Sequence, residues 1–577
     1  MAPARRSENP SAQVIRSLLK HEHELSVYAK NAIYALTAQV AELDVESGHL
    51  VLEVEYSGKD IDRYFNDGRL NFDIETLEPA EPDEREAYSL SNVVARSVKT
   101  DSTTYRLDCQ LPDSVFVKEY RGAIRIPFIL GMYARASLEV YPHELIIDGR
   151  VRDLSVGGCK VDIPIADSIA LAVGQNLPGI TLEFPNGERL FVEGCVRHMR
   201  PFGNHGQVAL GIEFLNLATA QSESLFHFVN ETEREAAYRS GVNNKLTTHS
   251  RLFIASTKEK QTLRREEQER RQRERQSPMQ RGVMEIAHQL QVALMYMKNR
   301  DLFPEEILYD CADTLLYLLG QDRKALLYAL AFLRDEPEWV RHAVQVAAQL
   351  GDMMLIRDVH SIHVREAMLG ALMHTMGKPL LIGQELPSLK ANATPRQKEI
   401  LRTHVATLRD QLQSLGWTPS PTCLDILDNA NERLDGSGYP SGKRGDQLSE
   451  RVRLISVIKI VNKLVHERNG TASRTPLSAY RWVNDAAESF DKTILVEYIQ
   501  CYGLYPIGSL AKFSGGFLAW IMDINGKGMP TRVHVVKNLA FSNTNIDNIL
   551  SNKDFFQIGK LEGIVDPVDY DIPIGTT

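Results

Sequence analysis

The chain has 577 residues, of which 43% are hydrophobic and 24% are charged, and its formal net charge is −9. This length exceeds one core of roughly 100–200 residues and favours several domains, while the composition excludes the disordered, collagen-like and disulfide-scaffold classes. A net negative chain lacks the overall basic field that non-specific nucleic-acid or anionic-lipid binding requires, so any anion site must be local.

The cysteines and the amino terminus predict a cytoplasmic protein. The six cysteines form no Cys-x-x-Cys pair, which favours buried thiols in a reducing compartment over zinc or redox sites. The first residues, MAPARRSENPSAQ, carry no apolar stretch typical of a signal peptide, and no run of about 18 apolar residues follows. We therefore expect neither secretion nor membrane insertion.

The apolar pattern predicts a multidomain α+β protein. Apolar residues at three- and four-residue steps from Ser11 to about Leu43 predict an amphipathic helix, and the segments after it alternate like strands. Short alternating segments between Arg121 and Phe214 predict a barrel or sandwich with a trailing helix. The predicted divisions are an α+β domain at 1–118, a β-barrel at 119–240, a charged helical connector at 241–282, an all-α domain at 283–500 and a β-rich extension at 501–577.

The connector contains the most highly charged segment of the chain. Residues 258–275 read KEKQTLRREEQERRQRER, which is eight basic and five acidic residues with almost nothing apolar. Such a segment is typical of a solvated helix held by Glu and Arg pairs. A nucleic-acid patch is the alternative, but the interspersed acids and the lack of stacking aromatics disfavour it.

The first pair of motifs predicts a site for a guanine nucleotide. The segment YRGAIRIP holds Arg121 and Arg125, and RDLSVGG follows about thirty residues later with Asp153, Ser155 and Gly158. Each guanidinium can grip phosphate oxygens or the O6 and N7 edge of guanine, and the carboxylate and hydroxyl suit the donor edge of the base. The alternative is that the arginines are surface residues paired with acids and that Asp153 caps a turn.

The R-x-x-x-R pair and the D-x-S-x-x-G that follows resemble the signature of the PilZ domain, a bacterial receptor for cyclic di-GMP. This resemblance implies a six-stranded antiparallel barrel with a trailing helix. It also implies that Arg121 and Arg125 clamp guanine and phosphate of the ligand while Asp153, Ser155 and Gly158 hold its other side. The preceding stretch, CQLPDSVFVKEYRG, resembles the join between the amino-terminal and PilZ domains of flagellar-brake-like receptors.

A second set of motifs resembles the HD-GYP domain, a helical cyclic di-GMP phosphodiesterase with a two- or three-metal centre. The motifs are HTMGK at 374–378, His404, NERLDGSGYPSG at 431–442 and RLISVIKIVNKL at 453–464. Several family positions are replaced, and the replacements are Thr375, Ala430, Asn431, Lys459 and Asn462. Methyl, amide and ammonium groups cannot replace carboxylate and imidazole ligands, so the resemblance implies a centre without metal and without catalysis.

Two pairs of histidines remain as weaker metal candidates. His374 and His404 survive as plausible ligands, although satisfied core histidines are the simpler interpretation. His360 and His363 lie three apart on a predicted helix, but without neighbouring acids we interpret them as surface or packing residues. The persisting DGSGYP residues are turn-forming and are interpreted as scaffold.

We therefore interpret the chain as a bacterial cyclic di-GMP effector with no enzyme activity and no cofactor beyond that ligand. Protein partners are expected through the HD-GYP-like or the amino-terminal domain, a homodimer is compatible with the sequence, and control of motility or biofilm is what the resemblance implies. Two rival functions are a phosphodiesterase with an altered centre and a scaffold that binds no ligand. The sequence is silent on the partner, the process, the oligomeric state and the direction of control.

Overall fold

The chain divides into two compact units, residues 1–266 and residues 267–577. In the computed structural model the described residues are 15, 24–29, 36–45, 47–55, 70–75, 86–99, 104–111, 116–119, 125–142, 145–202, 206–240, 248–256, 259–262, 264, 276–299, 302–383, 385–389, 393–467, 471–541, 545–570 and 572. Among them there is no helix with both the length and the apolar composition needed to cross a lipid bilayer.

An antiparallel sheet makes up most of the described amino-terminal region. Its strands are β1 (Glu24–Ala29), β2 (Leu36–Asp44), β3 (His49–Glu55), β4 (Leu70–Glu75), β5 (Glu86–Lys99), β6 (Thr104–Gln110) and β7 (Phe116–Glu119). They lie in the order β4-β1-β2-β3-β6-β5-β7, and β4 also pairs with β5. Leu50, Leu52 and Leu107 are fully buried on one face, as expected for strands whose apolar residues alternate.

The amphipathic helix predicted from Ser11 to about Leu43 is wrong over residues 24–29 and 36–44, which form β1 and β2. Residues four apart share a face in both a helix and a strand, so Leu36 and Val40 fit either period. Pairing with β3, which aligns Ala38 with Val54, decides for the strand. The described part of this region is therefore β-rich.

A second antiparallel sheet follows in the same unit. Its strands are β8 (Ile126–Pro127), β9 (Arg135–Tyr141), β10 (Leu145–Ser155), β11 (Gly158–Pro164), β12 (Asn176–Glu183), β13 (Arg189–Phe202) and β14 (Gln207–Leu215). Each strand from β9 to β14 pairs with two others of that set, because β10 contacts both β9 and β11 while β14 joins β11 to β13. The short helix α1 (Ile165–Ser168) and the long helix α2 (Thr219–Ser240) complete the described elements here, and α2 confirms the predicted trailing helix.

Part of the predicted connector packs against this second sheet. Residues Arg251–Phe253 form a single 3-10 turn, and Leu252 and Phe253 are buried. The Phe253 ring lies 5.6 Å from that of Phe128 and 5.8 Å from that of Phe184, both in edge-on geometry. The remaining connector residues 241–247, 257–258, 263, 265–275 lie outside the described residues.

The second unit begins with helices. They are α3 (Pro278–Asn299), α4 (Glu305–Gln321), α5 (Arg323–Ala329), α6 (Glu338–Arg357), α7 (Val364–Met373), α8 (Gly377–Leu380), α9 (Pro395–Arg402), α10 (His404–Ser414), α11 (Pro421–Asn429), α12 (Glu450–Val465), α13 (Pro476–Asp485) and α14 (Lys492–Tyr502). Three of them begin with a proline that follows a capping residue, and these caps are Thr394, Ser420 and Thr475.

The predicted β-rich extension is a sheet in the order β18-β17-β16-β15-β19. Its strands are β15 (Leu510–Phe513), β16 (Phe517–Ile524), β17 (Pro530–Asn538), β18 (Asn545–Ser551) and β19 (Leu561–Ile564). One face packs on the helices, where Tyr328 and Phe332 share a buried cluster with Leu518 and Trp520. The described fold is thus β-rich in its first unit and helical, followed by strands, in its second.

Candidate functional site

The first candidate site lies where β8 runs beside β10. Pro127 and Ile126 pair with Asp153 and Leu154, so the residue just before β8, Arg125, is brought to Asp153. Arg125 Nη1 lies 3.8 Å from Asp153 Oδ2. The two halves of the predicted clamp therefore meet across adjacent strands. Arg121, the other predicted arginine, lies outside the described residues.

Asp153 is a buried carboxyl group whose hydrogen bonding is incomplete. It is only 4% exposed, and no described residue donates to its Oδ1 atom. Burial raises the pKa of Asp153, while the charges of Lys160 and Arg125 and the Lys160 backbone N–H oppose the rise. Because a buried carboxylate costs free energy unless it is fully paired, this group is held in place against its own solvation preference.

Ser155 and Gly158 form the tight turn from β10 into β11. The Ser155 hydroxyl donates to the Gly158 carbonyl at 3.0 Å, and both residues are buried. A Cβ atom on Gly158 would lie 2.2 Å from the carbonyl oxygen of Ile212 on β14, so only glycine fits this strand contact. Packing against β14 thus requires glycine at position 158, whereas no atom lies within 4 Å of a Cβ added at Gly157.

Three further basic side chains lie on the same sheet, and sequence analysis missed them: Lys160 lies opposite Asp153 on β11, and His198 and Arg200 lie further along the sheet on β13. Register across β10, β11 and β14 aligns Asp153 with Lys160 and Lys160 with Gly211, and Gly211 pairs with His198 on β13. Desolvation against the sheet, together with the charges of Arg125, Arg200 and Lys160, lowers the pKa of His198 to about 4. Lys160 and His198 come from separate strands, so the only signal in the sequence was their alternation on strands whose pairing was unknown.

The second candidate site lies among α6, α7, α10 and α12 of the second unit. His374 follows α7, and its Nδ1 lies 2.5 Å from the Ala371 carbonyl oxygen. Since a carbonyl only accepts, Nδ1 carries the hydrogen and Nε2 carries the lone pair. The close approach of α8 depends on Gly377, where a Cβ would lie 1.9 Å from the His404 carbonyl oxygen.

A third buried histidine joins this site and was not recognised from the sequence. The His342 ring on α6 lies 5.4 Å from that of His374, and its Nδ1 lies 2.7 Å from Asn462 Oδ1. The Asn462 amide in turn donates to Gln345 Oε1 at 2.9 Å. The replacement residue Asn462 therefore serves to orient a histidine.

The other replaced positions also have protein partners. The Thr375 hydroxyl donates to the Trp339 carbonyl oxygen at 3.0 Å. Lys459 Nζ donates to the Ala430 carbonyl oxygen at 2.8 Å and to Asn431 Oδ1 at 2.7 Å. The ranges that the structure describes hold no group of three or more His, Cys, Asp or Glu side chains arranged for a metal ion.

The DGSGYP segment is held by its own loop and its neighbours. Asp435 accepts hydrogen bonds from the Ser437 backbone N–H at 2.9 Å and from the Ser489 hydroxyl at 2.6 Å. These hydrogen bonds outweigh desolvation and lower the pKa of Asp435 to about 2. Glu432 Oε1 accepts from the backbone N–H groups of Ser441 and Gly442. Both carboxylates therefore brace the loop.

His360 and His363 do not converge. His360 is exposed, whereas His363 Nδ1 lies 3.1 Å from the Thr422 hydroxyl. The interpretation of these residues as surface and packing residues agrees with their positions.

Acidification should destabilise the second unit through its buried histidines. Burial, with the charges of Lys378 and Lys459, lowers the pKa of His404 to about 2, and burial also holds the pKa values of His342 and His374 well below their usual range. These groups stay neutral in the folded state but bind protons in the unfolded chain below about pH 6.5. Stability is therefore full above that pH and falls as the pH drops, by about 2 kcal/mol per histidine between pH 7 and pH 5.

Tryptophan emission reports the loss of stability of the second unit selectively. All four tryptophans, at 339, 417, 482 and 520, lie in the second unit. Urea denaturation followed by that emission at pH 7 and pH 5 should show a smaller pH dependence in His404→Gln, while His360→Gln at an exposed position should match the native protein. An unchanged pH dependence in His404→Gln would contradict this assignment.

Comparisons with known proteins cover both sites. The PilZ domain family model matches residues 118–231, and the HD domain family model matches residues 326–494. A cyclic di-GMP phosphodiesterase of Pseudomonas aeruginosa is 24% identical over 206 residues, which are 36% of this chain and 49% of that protein. The flagellar brake protein YcgR of Chromobacterium violaceum is 21% identical over 227 residues, 39% of this chain and 89% of that protein.

Among solved structures, the K. pneumonia MrkH–c-di-GMP complex aligns with 41% of this chain and 98% of its own, at 13% identity and a TM-score of 0.32. The chain spans about half the length of the curated phosphodiesterases that it matches. The two motif sets lie within the two family matches, so residues 118–231 are similar to the PilZ domain and residues 326–494 are similar to the HD domain.

Proposed function

We propose that this protein is a cyclic di-GMP receptor that binds the dinucleotide at its PilZ domain through Arg121, Arg125, Asp153, Ser155 and Gly158. The observation that carries the proposal is the buried Asp153 beside Arg125, with one carboxylate oxygen that no described residue bonds. An acceptor of this kind suits the N1–H and N2–H₂ donors of guanine. The six-stranded barrel that the resemblance implies is part of this proposal, and the paired strands β9 to β14 support it.

The charge around the site favours a dianionic ligand. The positive charges of Arg125, Lys160 and Arg200 all act on His198, which marks a local positive field on a chain whose net charge is −9. A local field of this kind raises the association rate of an anion and is weakened by salt. Arg125 remains partly exposed, with 37% of its side chain accessible, so it can reach a ligand at the surface.

We infer that the HD domain does not hydrolyse the dinucleotide. A di-metal hydrolytic centre needs several carboxylate and imidazole ligands to hold cations and lower the pKa of a bridging water. At the replaced positions stand a threonine bonded to Trp339, an asparagine and an ammonium group, so the residues present do not fit such a centre. The domain is then an output surface, and a protein partner bound there or at the amino-terminal region would receive the signal.

Calorimetry and metal analysis of the full chain test this function against its rivals. We expect cyclic di-GMP to release heat on binding, the purified protein to hold less than stoichiometric metal, and no linear product to form. Hydrolysis of cyclic di-GMP by protein that holds iron or manganese would favour the phosphodiesterase function over the receptor function. If the protein showed neither binding heat nor hydrolysis, the remaining function would be a scaffold that binds no ligand.

Ligand binding also has an expected consequence for the segment that carries the two arginines. Binding should pin the segment that carries Arg121 and Arg125, and because this segment follows the amino-terminal region directly, its ordering would bias that region. Cytoplasmic location, a homodimer and control of motility or biofilm are parts of the proposed scheme that rest on the resemblance.

A further inference from the structure

Lys459 lies at the centre of the HD domain and connects two of its helices. It projects from α12 to the carboxyl end of α11, where its ammonium group donates to the Ala430 carbonyl and to the Asn431 side chain. Ala430 is the residue that caps α11. A cation at a helix carboxyl end is stabilised by the helix dipole as well as by its hydrogen bonds.

The ammonium group acts electrostatically on three imidazoles, of which those of His374 and His404 are buried. The Nε2 atom of His374 and the Nδ1 atom of His404 are buried and have no hydrogen-bond partner within the part of the chain that the structure describes. The charge of Lys459 lowers the pKa values of His342, His374 and His404. Neutral imidazoles with free lone pairs are compatible with a nearby ammonium group, whereas protonated ones would repel it.

A divalent cation would meet repulsion at the same place. The charge of Lys378 also acts on all three histidines, so two positive charges act on this cluster. Like charges repel more strongly in a partly buried setting than in water, because the surroundings screen them less. Two groups that accept hydrogen bonds from Lys459, the Ala430 backbone carbonyl and the Asn431 side-chain amide, are uncharged.

We propose that the Lys459 ammonium group is a built-in cation that replaces a bound metal ion and joins α12 to the end of α11, so that the HD domain folds without metal. The proposal rests on the non-catalytic role proposed above for this domain. It adds that the loss of ligands was compensated by an internal charge, which preserves the position of the loop that begins at Asn431. The cation is then permanent, and the domain no longer responds to metal supply.

Thermal unfolding of the full chain, followed by tryptophan emission, tests this inference. Lys459→Met removes the charge but keeps most of the volume, and we expect the transition of the second unit to fall by roughly 3–10 °C. Lys459→Arg keeps the charge and should recover most of that loss. Lys463→Met, at an exposed lysine one turn further along α12, is the matched control and should shift the transition by less than about 2 °C.

The native protein supplies a second readout that needs no variant. Its melting temperature should not change with EDTA or with added manganese, and metal analysis should find less than one equivalent. A melting temperature that falls with EDTA, stoichiometric metal, or equal stability of Lys459→Met and the native protein would each overturn the inference. Calorimetry with cyclic di-GMP distinguishes failure of this inference from failure of the receptor function. Lys459→Met should bind the dinucleotide with native affinity, whatever its melting temperature.

Discussion

Replacing Arg125 with alanine should weaken cyclic di-GMP binding by roughly 10- to 150-fold, with no fall in melting temperature beyond about 2 °C. The fold-change corresponds to about 1.5–3 kcal/mol, the typical contribution of a hydrogen bond to a charged group. The fold should tolerate the change because Arg125 is partly exposed and its 3.8 Å contact with Asp153 is long for a hydrogen bond. Calorimetric titration of native and variant protein at one ionic strength measures the difference.

A matched arginine from the same sheet is available as a control. Arg189 on β13 is also partly exposed and is paired with Glu183 at 3.0 Å, so Arg189→Ala removes the same charge from the domain. Native affinity in Arg189→Ala together with the loss in Arg125→Ala would assign the effect to the clamp. Equal losses in both variants would mean that only the general field of the domain attracts the ligand, and the assigned role of Arg125 would be wrong.

The adjacent glycines of the turn should respond very differently to alanine. Gly158→Ala places a methyl group 2.2 Å from the Ile212 carbonyl oxygen, which forces β11 and β14 apart. Overpacking of this kind typically costs about 1–3 kcal/mol, and here the obstacle is backbone that cannot rotate away. At Gly157 no atom lies within 4 Å of the added methyl group, so Gly157→Ala should be nearly neutral.

Far-ultraviolet circular dichroism distinguishes the two variants. The first unit contains no tryptophan, so an early transition seen by dichroism and absent from tryptophan emission belongs to it. That transition should move to lower temperature in Gly158→Ala alone, and cyclic di-GMP binding should fall with it. Equal melting of the two variants would show that the strand contact at Gly158 is not as tight as described.

Much of the candidate site followed from the residues themselves. An arginine pair, an aspartate and a serine have the donor and acceptor chemistry of a guanine clamp wherever the chain places them, and Arg125, Asp153, Ser155 and Gly158 do meet across neighbouring strands. In the same way, Thr375, Asn431 and Lys459 lack the carboxylate and imidazole groups that a hydrolytic metal centre needs, whatever the fold. The helix starts at Thr394, Ser420 and Thr475 likewise depend on local residues, because a capping side chain and a following proline act within one turn.

Features that depend on residues distant in sequence were decided by the tertiary structure. The segment at 36–44 fits both a helical and a strand period, and only its pairing with β3 selects the strand. The placing of Lys160 opposite Asp153, and of His342 beside His374, required strand register and helix packing that no local pattern encodes. The residue types alone determined which chemistry was available or lost, because that is a property of each side chain. Burial and hydrogen-bond partners, as for Asp153 and Lys459, were settled only by folding, because both depend on what the rest of the chain brings alongside.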